Sequence, residues 1–361
     1  MRPARVIVLG QGLAGTLVSY RLRAAGVAHL VVDRGHERAS SRAAAGIVNP
    51  VTGRRFVLTW RAAELRAGLG VYRELERLLR RGLLYDLTVY RDLGDPAALN
   101  QWDLRRADEA YAPYLDAPVA ASSLRAASSS APLDLPAVLG PTRRAARVDL
   151  PGLLSGYRDL LRAEGRLVER DVPIAAFAKT DDGWAAGALV GDAVVDCTGF
   201  AAAAQPVWAD LPWRGSKGQA LRFALPGMPR DWAAKRRHFL CPTGGASDVW
   251  VGATARDHFD DDRPTAEGLA ALRASAAGFG VDLEGKTVEH LAAVRPTVRD
   301  RRPLVGEHPA LRGLWLCNGL GTKGTSLGPL ASGQLVGALL GDRPLMRELD
   351  LAPRFVDGRR A

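Results

Sequence analysis

Apolar residues fall along this chain in two rhythms, and each predicts a different kind of element. The run Val6-Ile7-Val8-Leu9 is uninterrupted and led by β-branched residues, which predicts a strand buried on both faces of a parallel sheet. Behind it Leu13, Leu17, Val18, Leu22 and Ala25 recur at helical spacing, with Gly26 where a C-terminal cap belongs. Leu30-Val31-Val32 is a second strand. From about 56 to 81, Leu65, Leu69, Tyr72, Leu75 and Leu79 predict one long amphipathic helix, followed by a strand over 83–93. Residues 94–118 are broken by Gly94-Asp95-Pro96, Pro113 and Pro118, and the Ala/Ser-rich 119–131, with Ser128-Ser129-Ser130, reads as a mobile loop or lid. Pro151 opens a helix that carries Leu153, Leu154, Leu160 and Leu161 and stops at Gly165. A strand over 166–172, a hairpin turned by Asp181-Asp182-Gly183 and the strand Ala193-Val194-Val195 follow. Short strands fill 206–290, among them 216–223 and 249–254, around one helix near 265–279. A last strand, Leu314-Trp315-Leu316-Cys317, leads to a terminal helix from about 328 to 340.

Glycines sharpen that pattern. Gly10, Gly12 and Gly15 follow G-x-G-x-x-G between the first strand and its helix. In that setting the first glycine makes the tight turn, the second lets backbone approach a pyrophosphate, and the third lets helix pack on strand. The helix start offers N–H groups and a positive dipole end to phosphates. Asp33 closes the second strand at about the distance where an acid meets an adenosine ribose. The chain is thus expected to bind a dinucleotide. Small residues over Ala39–Gly46, including Ser41 and Ala45, suit close approach to a flat cofactor ring or to another packed surface. Near the end, Asn318-Gly319-Leu320-Gly321-Thr322-Lys323-Gly324-Thr325-Ser326 is a second glycine-rich loop between strand and helix, without Walker A spacing.

Length and charge narrow the function classes. At 361 residues with 47% hydrophobic positions, the chain suits two domains and a sizeable core. No apolar run reaches membrane-spanning length, and the chain enters its first strand with no room for a signal peptide, so a cytoplasmic location is expected. Cys197, Cys241 and Cys317 form neither a metal-spaced set nor a disulfide framework. The net charge of +10 is spread over scattered pairs such as Arg54-Arg55 and Arg236-Arg237, with no basic tract, so dedicated nucleic-acid binding is the weaker reading.

These motifs together resemble the FAD-dependent D-amino-acid oxidase superfamily, which includes glycine oxidase and sarcosine oxidase. The resemblance rests on the N-terminal fingerprint, Ser41-Arg42-Ala43-Ala44-Ala45-Gly46, Val195-Asp196-Cys197-Thr198-Gly199, Arg295-Pro296 with Pro303 and Gly306, and the last glycine loop. That loop is most similar to the Gly-Leu-Gly-Ser-Arg-Gly of the FAD domain in the bacterial enzyme that makes 5-methylaminomethyl-2-thiouridine in tRNA, with Thr322 and Lys323 as departures. The resemblance implies an α/β fold: a Rossmann-like FAD-binding domain of glutathione-reductase type and an α+β substrate domain built on a mixed sheet. The FAD-binding part is expected to be discontinuous, 1–55, 145–205 and 290–361, with 56–144 and 206–289 forming the substrate domain. Cofactor contacts are expected at Gly10, Gln11, Gly12, Leu13, Ala14, Gly15, Asp33, Arg34, Ser41, Ala45, Gly46, Ile47, Val172, Thr198 and Gly199. The last loop adds Gly319, Gly321, Thr322, Lys323, Gly324, Thr325 and Ser326. Cys317 does not match the flavin-linking cysteine of sarcosine oxidase, so the FAD is expected to be non-covalent.

The implied chemistry is oxidation of a C–N bond, with hydride passing to flavin N5, an imine that hydrolyses, and O2 or another acceptor taking the electrons. By resemblance Arg295 clamps a substrate carboxylate, and Lys323 with the last helix supplies positive potential near the flavin N1–C2=O. The small-molecule amine or amino acid is the lead substrate. Competing readings are the same chemistry on a modified tRNA uridine, a quinone-linked dehydrogenase, and, in a different class, a nicotinamide-dependent reductase or a non-catalytic flavin-binding protein.

Overall fold

The computed structural model describes residues 6–37, 39–127, 133–245 and 247–355. The chain divides into two compact units: unit 1 is Met1–Arg42, Leu150–Ser216 and Val294–Ala361, and unit 2 is Ala43–Asp149 and Lys217–Ala293. Residues 43–55, expected with the dinucleotide part, lie in unit 2, because Ile47–Val48 pairs with Val138–Val148 and Val51–Thr52 forms a hairpin with Val57–Leu58. Residues 206–216 lie in unit 1, where Trp213 bridges to Val298 and the Arg214 N–H donates to the Thr297 carbonyl at 2.7 Å.

Unit 1 is built on a six-stranded sheet in the order Leu304–Glu307, Leu314–Asn318, Ala193–Asp196, Val6–Leu9, His29–Val32, Leu167–Val168. All neighbours are parallel except the first pair, and the central strand Val6–Leu9 is buried along its length. Alternation then sorts its side chains. Ile7 and Leu9 join Val194, Leu314, Leu316, Trp184 and Leu189 in one core, the last two from a small antiparallel sheet of Ala178–Thr180, Gly183–Ala186 and Leu189–Gly191. Against the sheet also lie the helices Leu13–Ala24, Leu150–Ala163 and Gly324–Leu339. In the first of these Leu17, Val18 and Leu22 are fully buried, each worth roughly 1.5–3 kcal/mol of transfer free energy. Gly26, with φ +71°, ends that helix as its position predicts.

Unit 2 is built on a mixed sheet in the order Val288–Arg295, Ser216–Ala224, Asp248–Gly252, Phe239–Pro242, Trp232–Lys235, Leu84–Asp92, Val138–Val148, Ile47–Val48, with Val119–Ala120 also on Val138–Val148. Trp232–Lys235 runs parallel to Leu84–Asp92, which makes the sheet mixed. One face carries the main core, Leu221, Phe223, Ala234, Leu240, Val249 and Val251, covered by Leu272 and Ala276 of helix Ala266–Ala277. The opposite face carries smaller clusters, Val89, Ala145, Ala233 and Cys241 in one, Ala45, Ala220 and Trp250 in another.

Three local expectations change. The long helix over 56–81 is a β-hairpin strand, Val57–Leu58, and two helices, Ala62–Gly68 and Gly70–Leu79. Glycines at 68 and 70 weaken helical continuity there, and Arg61 and Arg80, both with positive φ, bound the pair. The broken stretch 94–118 holds a helix, Pro96–Arg106, because Asp95 caps it through the Ala97 N–H and proline fits its first turn. Within the expected lid, Val119–Ala120 is a strand and Ala121–Ala127 a helix, while Ser128-Ser129-Ser130 lies outside the described residues.

Candidate active site

In unit 1 the glycine turn is held by packing that leaves no room for side chains at two positions. Gly10 has φ +89°, and a Cβ there would lie 2.8 Å from the Cys197 carbonyl oxygen. A Cβ on Gly15 would lie 1.8 Å from the Gly10 carbonyl oxygen. At Gly12 it would meet only the Ser41 hydroxyl, at 3.7 Å. Gly12 is the N-cap of helix Leu13–Ala24, which has no side-chain cap and no acid in its first turn, so Ala14 and its neighbours sit at a bare positive helix end. The Leu13 N–H donates to the Ser41 Oγ at 3.1 Å, which fixes the loop expected at a cofactor against this helix start.

Asp33 is more deeply engaged than its motif position indicates. Its carboxylate accepts from the Gln11 N–H at 2.8 Å, the Gly35 N–H at 2.8 Å and Arg158 Nη1 at 2.7 Å. Arg158, on helix Leu150–Ala163 and 4% exposed, also donates to Gln11 Oε1 at 3.0 Å and to Glu169 at 2.9 Å. Arg162 and then Arg158 hold the Glu169 carboxyl down at about 2. The Gln11 side chain is fully buried and donates to the Leu154 carbonyl at 3.0 Å, so it builds the floor of the turn. Pattern reading missed Arg158, since a lone arginine on an amphipathic helix signals only an exposed face. Arg34 lies outside this network, in an exposed ion pair with Asp171, and Val172 packs at the edge of the core.

We therefore expect Asp33→Ala to lower both flavin retention and stability of the apoprotein, by about 1–3 kcal/mol, because it strips partners from a buried N–H and a buried guanidinium. Thermal melts of apoprotein and flavin-to-protein absorbance ratios check this. A destabilised variant with full flavin occupancy would make Asp33 structural only.

A second network joins the other two nucleotide-type turns. Asp196, fully buried, accepts from the Thr198 N–H at 2.9 Å, the Thr198 hydroxyl at 2.7 Å and Trp208 Nε1 at 2.9 Å. Burial raises its carboxyl pKa, and those donors oppose the shift. Asn318 Nδ2 then donates to the Gly199 carbonyl at 2.8 Å, while its Oδ1 receives the Gly319 N–H at 2.9 Å. Thus Thr198-Gly199 and Gly319 are fixed to one another through Asp196 and Asn318, two positioning residues that spacing alone did not reveal.

The last glycine loop enters helix Gly324–Leu339 through a 3₁₀ turn at Gly321–Lys323. This helix also lacks a side-chain cap and has no first-turn acid, and Thr325 and Ser326 are buried in its first turn. Gly324 and Gly328 pack on the first helix, a Cβ at Gly324 lying 3.5 Å from Leu13 and one at Gly328 2.8 Å from Leu17. Small residues thus bring two positive helix ends side by side. Thr322 is exposed and Lys323 half-buried; burial, Arg302 and Arg301 lower the Lys323 pKa.

Arg295 reaches the same neighbourhood through its backbone. The Gly321 N–H donates to the Pro296 carbonyl at 3.0 Å, which ties Arg295-Pro296-Thr297 to the start of the last helix. Burial lowers the Arg295 pKa. The buried Thr297 Oγ1 has no hydrogen-bond partner among the described residues and lies 3.4 Å from a Cβ placed on Gly321. In unit 2, Ala45 joins the Ala220–Trp250 cluster, Ile47 pairs with Arg147, and a Cβ on Gly46 would lie 2.0 Å from the Val148 carbonyl oxygen. That segment is anchored by Trp250 Nε1, which donates to the Ala43 carbonyl at 2.9 Å.

Two adjacent bare helix ends, two glycine turns and an acid at the second strand are the donor and acceptor set an FAD requires. The comparison with known proteins decides the matter: the FAD dependent oxidoreductase (DAO) family signature matches residues 5–339. The chain belongs to the DAO family of FAD-dependent oxidoreductases. It is 29% identical to glycine oxidase of Pseudomonas putida, over 98% of this chain and 99% of that protein. It is 31% identical to the tRNA 5-methylaminomethyl-2-thiouridine biosynthesis bifunctional protein MnmC of a Caulobacter species, over 96% of this chain but only 56% of that longer protein. Among solved structures, iminodiacetate oxidase from a Chelativorans species superposes with a TM-score of 0.76 at 24% identity, covering 95% of this chain and 98% of that one. Glycine oxidase from Geobacillus kaustophilus gives 0.74 at 22% identity, covering 99% and 100%. The mixed α/β architecture with a Rossmann-like FAD-binding fold is therefore that of this family. Among the described residues no group of His, Cys, Asp or Glu could hold a metal ion, and no helix is long and apolar enough to cross a membrane.

Proposed function

We propose that this DAO-family protein oxidises the C–N bond of a small amino acid or carboxylate-bearing amine and passes the electrons to O2. The substrate loses two electrons and two protons to become an imine, which water converts to a carbonyl compound and a free amine, and O2 leaves as hydrogen peroxide. The bound flavin supplies the two-electron acceptor. Unit 1, on this reading, is the FAD-binding domain and unit 2 the substrate domain.

The observation that carries the reading is the tie of Arg295-Pro296-Thr297 to the Gly321 turn, with a half-buried arginine and, two residues on, an unsatisfied Thr297 hydroxyl. Arg295 receives the substrate carboxylate in its planar fork, and Thr297 Oγ1 offers a further polar contact. The bare start of the last helix, with Lys323 beside it, supplies positive potential where reduction accumulates negative charge. FAD is held non-covalently: Cys197, Cys241 and Cys317 are all buried, and Cys317 lies in the strand beside Cys197. The match to glycine oxidase over 98% of this chain and 99% of that protein supports the small substrate; the chain spans little more than half of the MnmC relative.

Anaerobic titration with a panel of glycine, D-amino acids, N-methyl amino acids and modified nucleosides tests this directly. Bleaching of the flavin's visible band by a carboxylate-bearing amine, with hydrogen peroxide formed on readmitting air, is the expected result. Bleaching only by the nucleosides would replace the substrate, and fast reoxidation only by quinones would replace the acceptor.

A further inference from the structure

Within unit 1, two indoles on residues 206–214 brace the turns of the candidate site. Trp208 ends the 3₁₀ turn Pro206–Trp208 and is fully buried. Its Nε1 donates at 2.9 Å to Oδ2 of Asp196, the carboxylate that also fixes the Thr198 turn. Its carbonyl accepts in turn from Trp213 Nε1 at 2.8 Å. Trp213 stands opposite Val298 in a short antiparallel bridge. To either side of that bridge the Arg214 N–H donates to the Thr297 carbonyl at 2.7 Å, and the Arg299 N–H to the Pro212 carbonyl at 3.1 Å. A separate bond, from the Gly321 N–H to the Pro296 carbonyl at 3.0 Å, ties the same segment to the last glycine turn.

A buried carboxylate needs donors, and a buried indole N–H, which can only donate, needs an acceptor. Those two needs run the bonds in one direction, from Trp213 to Trp208 to Asp196. The Trp208 ring is walled by His308 at 5.4 Å and Phe355 at 6.4 Å between centroids, so the indole that reaches Asp196 is held in place. The place of residues 297–299 is thereby referred to the same carboxylate that sets Thr198-Gly199. That segment belongs to no regular strand; its two bonds to 212–214 and the buried Val298 side chain are its anchors on this side. A stretch so lightly held shifts when a brace is lost, and a carboxylate clamp two residues away tolerates little misplacement.

We propose that Trp208 and Trp213 are positioning residues, which together set where Arg295-Pro296-Thr297 stands relative to the Thr198-Gly199 turn and so how well a substrate carboxylate fits. Neither indole touches substrate; both act through the backbone of 297–299. The consequence for substrate rests on the amine-oxidase reading above; the brace itself does not.

The test uses the flavin-loaded enzyme and its apoprotein, as wild type, Trp213→Phe, Trp208→Phe and the double variant. Trp213→Phe removes one donor and keeps a ring, and the Trp208 carbonyl still accepts from the Leu211 N–H at 3.2 Å, so no acceptor is orphaned. For the carboxylate-bearing amine that bleaches the flavin fastest, its KM should rise at least about fivefold, with a smaller effect on kcat and flavin affinity within about twofold of wild type. Trp208→Phe takes the donor from Asp196 Oδ2 as well, so it should raise KM similarly and also weaken flavin binding at least about fivefold. The double variant should raise KM no further than Trp208→Phe alone, because the two indoles act in series. Hydrogen exchange of the apoprotein gives a readout without turnover: in Trp213→Phe, peptides covering 295–301 and 320–323 should exchange faster, and those of helix Leu13–Ala24 should not. Wild-type KM and exchange in Trp213→Phe, a lowered melting temperature as its sole effect, or additive KM losses in the double variant would overturn the positioning role. Faster exchange at 295–301 in a protein that oxidises no carboxylate-bearing amine would keep the brace and overturn the carboxylate clamp as what it positions.

Discussion

Arg295→Ala is expected to lower kcat/KM for a carboxylate-bearing substrate by about 10²–10³-fold while leaving flavin content unchanged. The arginine ends the strand Val288–Arg295, and Pro296, which follows it, is fixed through its carbonyl to the Gly321 turn. The guanidinium is therefore carried on a short, doubly anchored segment, and burial already lowers its pKa. A charge held this way interacts with an incoming carboxylate at reduced dielectric, where a truncated partner costs the most. Alanine removes both charge and geometry, so KM should rise and turnover fall through misplacement of the reacting carbon. Arg295→Lys keeps the charge but offers one donor group in place of a fork, and should fall between. Simple amines without a carboxylate should be nearly indifferent to either change. An Arg295→Ala enzyme with wild-type kcat/KM on amino acids would remove the clamp and turn attention to amines or nucleosides.

The parts of this molecule legible from sequence are those whose chemistry is local in the chain. Gly10, Gly12 and Gly15 sit within six residues, and their steric demands can be read from spacing because the strand and helix they join adjoin them. The strands Val6–Leu9, His29–Val32 and Ala193–Asp196 are equally plain, each being built on at least three consecutive apolar residues. What could not be read were polar residues whose partners are distant in sequence. Arg158 reaches back to Gln11 and Asp33, and Asn318 to Gly199; nothing near either residue names the partner. Arg91 stands opposite Lys235 only because two strands far apart in sequence lie parallel. Strand Val138–Val148 is illegible for a different reason: Pro141 and Arg143-Arg144 interrupt its alternation, and its partner strand shifts register between Leu87 and Val89. At Asp95-Pro96 the same residues that suit a break also suit a helix start, and the cap to the Ala97 N–H decides for the helix.

Gly15→Ala and Gly12→Ala are expected to fail in different ways, although both add one methyl to the same turn. At Gly15 the new Cβ would lie 1.8 Å from the Gly10 carbonyl oxygen and 3.3 Å from the Cys197 Cβ. Neither can yield cheaply: Gly10 is pinned by its N–H to the Val32 carbonyl at 2.8 Å, and Cys197 by its N–H to the Leu9 carbonyl at 2.8 Å. The first helix would have to lift from the central strand, giving up the burial of Leu13, Leu17 and Val18 and its close fit to Gly324 and Gly328. Overpacking of this kind costs about 1–3 kcal/mol or more, so apoprotein stability and flavin content should both fall sharply. At Gly12 the backbone is φ −76°, which alanine adopts freely, and the new Cβ meets only Ser41 Oγ at an ordinary 3.7 Å. The apoprotein should therefore melt within about 0.5 kcal/mol of wild type. Its methyl, however, stands on the open side of the bare helix end, where a pyrophosphate needs the backbone itself, and flavin affinity should drop at least about tenfold. Apoprotein melts and flavin titration of the two variants separate these outcomes. If Gly12→Ala retained full flavin affinity, the pyrophosphate would have to bind elsewhere than at the start of the first helix.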